Sequence, residues 1–295
     1  MQPACDRTFG PQARRIGFHV SIAGGFHLAF QRALERECTT FQIFCGNPRA
    51  WEMGRRDAAE VEAFRAARKG AGLSPVFVHA CYLINLCAPD PAIFDKSVRR
   101  MADEFAASVE AGADCYVVHP GSHKVMSPSW GVARASEAII RAANLAGRSP
   151  TLLLENTASS CGPGHSFRRL ADVIEAVGRS LPNLDIGIAL DSCHAFAAGY
   201  DFRRLDGLQR LVQDIGATVG LPSVRLIHAN DARDEAGSGR DRHWHIGQGT
   251  IGRCGLRNLL QQRDLCRVPV ILETPWKGVA EDLRNIRRLR RIMEP

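Results

Sequence analysis

Six apolar runs in this chain end on residues that bind metal ions. VFVHA carries His79, CYVVHP His119, TLLLENT Glu155, IGIALDS Asp191, VRLIHAN His228 and VPVILETP Glu273. Imidazole nitrogens and carboxylate oxygens are the donors of catalytic zinc. A single histidine at a strand end is more often a satisfied core or surface residue than a ligand. A carboxylate at the end of an apolar strand is different, because burying it is costly unless it is paired or bound to a cation. Six such residues, with no Lys or Arg among them, make chance a poor explanation. Three more extend the set. His194 stands three residues past Asp191, and Asp241 with His243 offers two donors from one loop, GRDRHWHIGQG.

Five histidines and four carboxylates are too many for one tetrahedral zinc, which takes three or four protein groups. Spread over three ions with one carboxylate bridging, they give about three donors each. Open positions then remain, the mark of catalytic zinc. The donors suit Zn²⁺, and Mn²⁺ or Fe²⁺ are chemically compatible. Three Zn²⁺ against four carboxylates leave about +2, which attracts an anion. A phosphodiester fits, with metal ions clamping its attacking and leaving oxygens.

Scattered residues must be brought together by the fold. Strands are expected at 15–20, 40–45, 75–79, 114–119, 151–155, 185–191, 224–228 and 269–273. Helices are expected near 25–36, 57–71, 93–111, 131–147, 166–179, 203–218, 253–263 and 279–292. The helix at 57–71 has an Asp N-cap and a Gly after its basic last turn. The helix at 166–179 begins with Ser and puts Leu170, Val173, Ile174 and Val177 on one face. Unbroken βα alternation predicts an α/β fold, a single (β/α)₈ TIM barrel over 15–295, after a disordered lead-in at 1–14. Strand C-termini in such a barrel share one face, where its active sites lie. The irregular stretches 80–92, 119–130, 156–165 and 229–250 all follow strands and belong to that face.

A chain of 295 residues accommodates one such barrel. At 45% apolar and 23% charged, its composition is that of a soluble globular protein. No run approaches ~18 uninterrupted apolar residues, so no membrane span is expected. The first fifteen residues lack the apolar run of a signal peptide. The ten cysteines show no C-x-x-C spacing and read as reduced thiols in a cytoplasmic protein. Cys81, Cys115, Cys161 and Cys193 stand near the ligand candidates but fit packing roles. The net charge of +7, mostly from Arg, is weak support for a nucleic-acid partner.

At these residues the chain resembles the endonuclease IV family, zinc-dependent apurinic/apyrimidinic endonucleases of the xylose-isomerase-like barrel superfamily. The matching motifs are HVSIAGG, FQIFCGNPRAW, VHACYLINL, HPGSH, LLENTA, ALDSCHAFAAGYD, HANDA, DRHWHIGQG and LETP, spanning residues 19–275 in the family's order. The resemblance implies a trinuclear zinc centre. His79 and His119 bind one zinc, and Asp191, His228 and Glu273 a second. Glu155 bridges these, and His194, Asp241 and His243 bind the third. It implies Glu155 and Glu273 as the catalytic carboxylates. The implied substrate is double-stranded DNA, cut 5′ to an abasic site, with removal of 3′-blocking groups besides; the implied state is a monomer. Arg49 and Tyr82 match the side chains that fill the gap left by the extruded nucleotide. Asn47 and Trp51 shape their loop, while His19, Gln42, His123 and His245 are candidates to orient ligands or phosphate. One departure is ENTASSCGPGH after Glu155, where the family has a short Gly-rich sequence; no ligand is lost there.

Two other functions compete. A sugar isomerase or epimerase of the same superfamily would use Glu155, Asp191, His228 and Glu273 around one metal. It needs neither His79, His119 and His194 together with the DRH loop nor Arg49. A non-catalytic DNA-binding protein needs phosphate contacts and has no use for open metal sites.

Overall fold

A computed structural model describes residues 14–54 and 57–294. Eight parallel strands close into a barrel. They are β1 (Ile16–His19), β2 (Thr40–Phe44), β3 (Val76–His79), β4 (Cys115–Val118), β5 (Thr151–Glu155), β6 (Ile186–Asp191), β7 (Val224–His228) and β10 (Val270–Leu272). The barrel closes through β1 beside β10, with Ile16 opposite Val270. A two-stranded antiparallel ribbon, β8 (Asp231–Ala232) with β9 (His243–Trp244), stands apart from it. The helices are α1 (Leu28–Glu35), α2 (Ala58–Ala71), α3 (Pro91–Ala111), α4 (Pro128–Ala146), α5 (Phe167–Ser180), α6 (Ser192–Ala197), α7 (Leu205–Gly216), α8 (Gly252–Leu260) and α9 (Val279–Met293). All eight expected strands and eight expected helices form. The ribbon and the six-residue α6 were not anticipated.

The strand period of two explains where the site sits. Phe77, Val117, Leu153, Ala189, Leu226 and Ile271 form a separate buried cluster inside the barrel. Each stands two positions before His79, His119, Glu155, Asp191, His228 or Glu273. Side chains two apart on a strand share a face. The apolar layer therefore lifts the six polar residues, one layer up, toward the strand C-terminal ends. The alternate residues, such as Val78, Val118, Leu154 and Leu190, join the larger core between barrel and helices. Gly17 is required for closure: a Cβ there would lie 1.7 Å from the Thr40 carbonyl oxygen.

The helix ends follow local chemistry. Asp57 accepts from the Ala59 N–H at the start of α2, and Gly72 closes it with φ 65°. Ser166 stands at the N-cap of α5, but its side chain makes no capping hydrogen bond. Leu170, Val173 and Val177 of α5 are buried, with Ile174 half-buried beside them.

Two expectations need correction. Arg14, assigned to the lead-in, is tied to the barrel: its guanidinium donates to the carbonyls of Val268, Leu260 and Leu265 at 2.6, 2.8 and 2.9 Å. The remainder of the expected lead-in, 1–13, lies outside the described residues. Among the described residues eight cysteines are free thiols, but Cys266 is disulfide-bonded, against the expectation of reduced thiols. No helix among the described residues is long and apolar enough to cross a membrane.

Candidate metal centre

The nine ligand candidates converge above the apolar layer. Glu155, fully buried at the end of β5, is the hub. Its Oε2 lies 3.4 Å from His79 Nε2 and 3.2 Å from His119 Nε2. Its Oε1 lies 3.1 Å from His228 Nδ1 and 3.3 Å from His194 Nδ1. His228 Nδ1 is also 3.5 Å from Glu273 Oε2 and 4.0 Å from Asp191 Oδ2. Asp241 lies 3.1 Å from His194 Nε2 through one oxygen and 3.2 Å from His243 Nε2 through the other.

Each ligand is placed by local structure. Asp191 ends β6 and caps α6, its Oδ1 accepting from the His194 N–H at 2.7 Å. That first turn swings His194 back over the barrel mouth. Asp241 and His243 come from the long loop after β7, which the ribbon pins: Asp231 pairs with Trp244 and Ala232 with His243. Buried Asp231 then accepts from the N–H groups of Gly249 and Gly252 at 3.0 and 3.1 Å.

A layer of hydrogen bonds orients these ligands. His79 Nδ1 donates to the Ala80 carbonyl at 2.9 Å, and His194 Nδ1 to that of Asn156 at 2.9 Å. His243 Nδ1 donates to the Glu273 carbonyl at 3.2 Å. A carbonyl only accepts, so Nε2 of each ring carries the lone pair. Gln42 fixes His228 the other way round. Its amide nitrogen donates to Glu273 Oε1 at 2.6 Å, which turns its oxygen to His228 Nε2 at 2.9 Å. His228 Nδ1 then carries the lone pair. Partners of this kind set ligand tautomer and basicity at metal sites. Gln42 also reaches His19 Nδ1, at 3.0 Å. Asn230 donates to Asp191 Oδ2 at 2.7 Å and accepts from the Glu273 N–H at 2.8 Å. Asn156 likewise holds the Asp191 backbone, at 2.7 and 3.1 Å.

The donors fit divalent cations. Both oxygens of Glu155, His228 Nδ1 and His243 Nε2 are buried without a hydrogen-bond partner. Such orphans in a native interior call for an ion or water. Donor atoms of His79, His119 and Glu155 lie within 4.8 Å of one another. So do those of Glu155, Asp191, His228 and Glu273, and those of His194, Asp241 and His243. A fourth group joins Asp191, Cys193 and His243. Cys193 is fully buried, which pushes its thiol up.

The electrostatics point the same way. Burial alone would raise Glu155, but His228 and His119 hold its carboxyl well below the usual range. Burial would depress His228, but Glu273 and Glu155 raise it to about 9. His243 is raised to about 9 against its burial, chiefly by Asp191 and Asp241. The cluster therefore demands positive charge, which either protons or metal ions satisfy.

Above the cluster opens a cleft of about 450 Å³, lined by His79, His119, His194, Asp241, His243 and Glu273. Tyr82 is exposed on its rim, its ring edge-on to Phe44 at 5.0 Å. Arg49 is exposed on the neighbouring loop, which the Tyr82 N–H joins through the Pro48 carbonyl at 3.0 Å. Asn47 caps that loop by accepting from the Arg49 N–H at 3.0 Å. His19 lines the cleft. His123 and His245 do not: His123 is buried against Gly131 of α4, and His245 Nδ1 meets Asn285 at 3.1 Å. The ENTASSCGPGH segment packs onto the HPGSH loop, where the His123 N–H donates to the Cys161 carbonyl at 2.7 Å.

The sequence pattern missed Asn156, Asn230 and Asp231. A signal was present, since LENT and HAND place Asn one and two residues past a strand-end ligand.

Comparison with known proteins agrees with this arrangement. A family model described as a xylose isomerase-like TIM barrel matches residues 30–294. The probable endonuclease 4 of Methanoculleus marisnigri is 41% identical over 282 residues, covering 94% of this chain and 98% of that protein. The probable endonuclease 4 of Halothermothrix orenii is 39% identical over 279 residues, covering 94% and 99%. The crystal structure of endonuclease IV from Thermus thermophilus superposes with a TM-score of 0.82 at 39% identity, covering 95% of this chain and 98% of that one. A 3-keto-D-glucoside 4-epimerase from E. coli superposes with a TM-score of 0.64 over 95% of this chain and all of that one. At 14% identity that likeness is one of fold alone.

Proposed function

The chain belongs to the endonuclease IV family of xylose isomerase-like TIM barrels, and from that premise we propose that it is a DNA-repair hydrolase. It hydrolyses the phosphodiester 5′ to an abasic site with a trinuclear zinc centre, and it removes blocking groups from 3′ ends. The observation that carries this is the third group, His194, Asp241 and His243, beside the two that share Glu155. A one-metal sugar isomerase has no use for it.

His79 and His119 hold one zinc; Asp191, His228 and Glu273 hold the second. Glu155 would bridge them, since its Oε2 faces His79 and His119 of the first group and its Oε1 faces His228 of the second. His194, Asp241 and His243 hold the third. Bound zinc lowers the pKa of water toward neutrality and offsets charge on a leaving oxygen. Mn²⁺ is an acceptable substitute on these donors. Glu155 and Glu273 are the carboxylates nearest the chemistry, one at the hub and one lining the cleft. Gln42 holds Glu273 Oε1, which leaves Oε2 toward the hub. Arg49 and Tyr82, on the rim, contact the duplex: Arg49 takes a phosphate or stacks, and Tyr82 wedges against a base. We further propose a monomer that acts in the cytoplasm on double-stranded DNA.

The test is incision of a duplex carrying one abasic site, with the cut position mapped, alongside metal analysis of the purified protein. Cutting on the 5′ side with about three zinc ions per chain is expected. One ion per chain with turnover of a keto sugar would sink the proposal in favour of an isomerase.

A further inference from the structure

Exposed aromatic rings are scarce among the described residues. Among the exposed large apolar residues described, two are aromatic, Tyr82 at 61% and Trp276 at 66%. Both line the cleft above the ligand groups. Tyr82 has a part in the function proposed above; Trp276 has none yet. Trp276 stands three residues past Glu273, where the cleft meets an adjoining groove of about 1120 Å³ that it also lines. Its ring rests over the Arg36 guanidinium, 5.3 Å from centroid to Cζ. Arg36 is itself buried, and donates to Asp282 and to the Arg32 carbonyl, each at 2.8 Å. The support under the ring is thus fixed while most of the residue stays open. Positive charge lies nearby, since Lys277 and Arg233 both sit over the Trp244 ring, at 5.4 and 4.5 Å.

We propose that Trp276 is a stacking platform for a nucleobase of the substrate. The base it takes is one opposite or beside the lesion, left with a bare face by the missing neighbour. This rests on the abasic-site reading above. Every base has a π-face, so stacking on an aromatic ring tolerates any sequence, as a lesion enzyme requires. A base that has already lost a stacking partner costs least to move. A ring already supported from below loses little freedom when a base lands on it.

The test uses the zinc-loaded full chain and duplexes with an abasic site, carrying fluorescent 2-aminopurine either opposite or next to it. Wild type should quench the probe on binding in at least one of the two positions. Trp276→Ala should abolish that quenching and raise KM about tenfold, the scale of one lost base stack. Its kcat and zinc content should stay within about twofold of wild type. Trp276→Phe should restore both quenching and KM. Unchanged KM and quenching in Trp276→Ala would overturn the proposal. So would a fall in kcat and zinc content that Phe does not rescue, which would make Trp276 a support for the metal centre. Wild type that fails to incise the duplex would overturn the underlying function instead.

Discussion

Arg100 and Glu104, one turn apart on α3, form an ion pair 2.9 Å across with each side chain about 1% exposed. The pair braces two loops at once. Glu104 Oε2 accepts from the Cys81 N–H at 3.2 Å and the Tyr116 hydroxyl at 2.7 Å. Arg100 reaches the Asn47 carbonyl at 3.4 Å. Cys81 adjoins Tyr82, and Asn47 lies two residues from Arg49. The two rim residues proposed to contact DNA thus share one buried support.

Removing one partner of a buried pair strands the other charge, at a cost of about 3–5 kcal/mol. Arg100→Met should lose stability on that scale in urea unfolding. Arg100→Met with Glu104→Leu should recover part of it, because no buried charge is left. The double variant should still raise KM for the abasic duplex with kcat nearly unchanged, since it frees the rim and spares the ligands. A double variant with wild-type KM would show that the brace does not position the loops.

Much of this site was legible in the sequence because a strand has a period of two. An apolar residue two positions before each His, Asp or Glu guaranteed that they share the barrel interior. Asp191 and His194 were legible as a pair because three residues make about one helical turn. Asn156 and Asn230 were not, because their partners come from other strands and depend on barrel register. Asn230 lies on the β7 side and touches residues of both neighbouring strands, Asp191 and Glu273. The ribbon of β8 and β9 was hidden for another reason. Two-residue strands carry no periodicity, and only the loop's closure against Asp231 creates them.

Gln42 should matter to metal affinity though it is no ligand. It holds Glu273 and His228 at 2.6 and 2.9 Å from opposite ends of one amide. Gln42→Leu keeps similar bulk and removes both bonds. Loss of such a partner costs about 10–100-fold in metal affinity or activity. Competition against a chelator should show that loss in the ion proposed for Asp191, His228 and Glu273. Unchanged zinc retention would mean that Gln42 does not tune the site.

The metal-free protein should have its own pH dependence. Burial opposes protonation of His228 and His243, but nearby carboxylates raise both from 6.5 to about 9. A group with a raised folded pKa stabilises the fold fully below its unfolded value and loses that contribution as pH climbs through the folded one. Melting temperature of the metal-free protein should therefore fall between about pH 6.5 and 9. The zinc-loaded protein should lack this slope, since metal takes the protons' place. Calorimetric zinc titrations at pH 7 in buffers of different ionisation enthalpy should likewise register proton release. A metal-free melting temperature that is flat across this window would contradict the assignment.

The sharpest separation of DNA chemistry from sugar chemistry lies in Asp241. It is half exposed, so Asp241→Asn should fold without difficulty. Burial works against its ionisation, yet the hydrogen bonds from His194 and His243 hold its carboxyl far below the ordinary range. It is therefore the anion that binds these two histidines into one group, and Asn removes its charge at nearly constant shape. The groups that share Glu155 do not include it. The variant should retain about two zinc ions where three are proposed for the parent. Incision of the abasic duplex should fall by at least 100-fold, because charge on the leaving oxygen is no longer offset. Duplex binding, carried by rim and phosphate contacts, should change little. A variant that keeps full incision with two ions would remove the third group from the chemistry, and with it the strongest argument that the barrel cuts DNA.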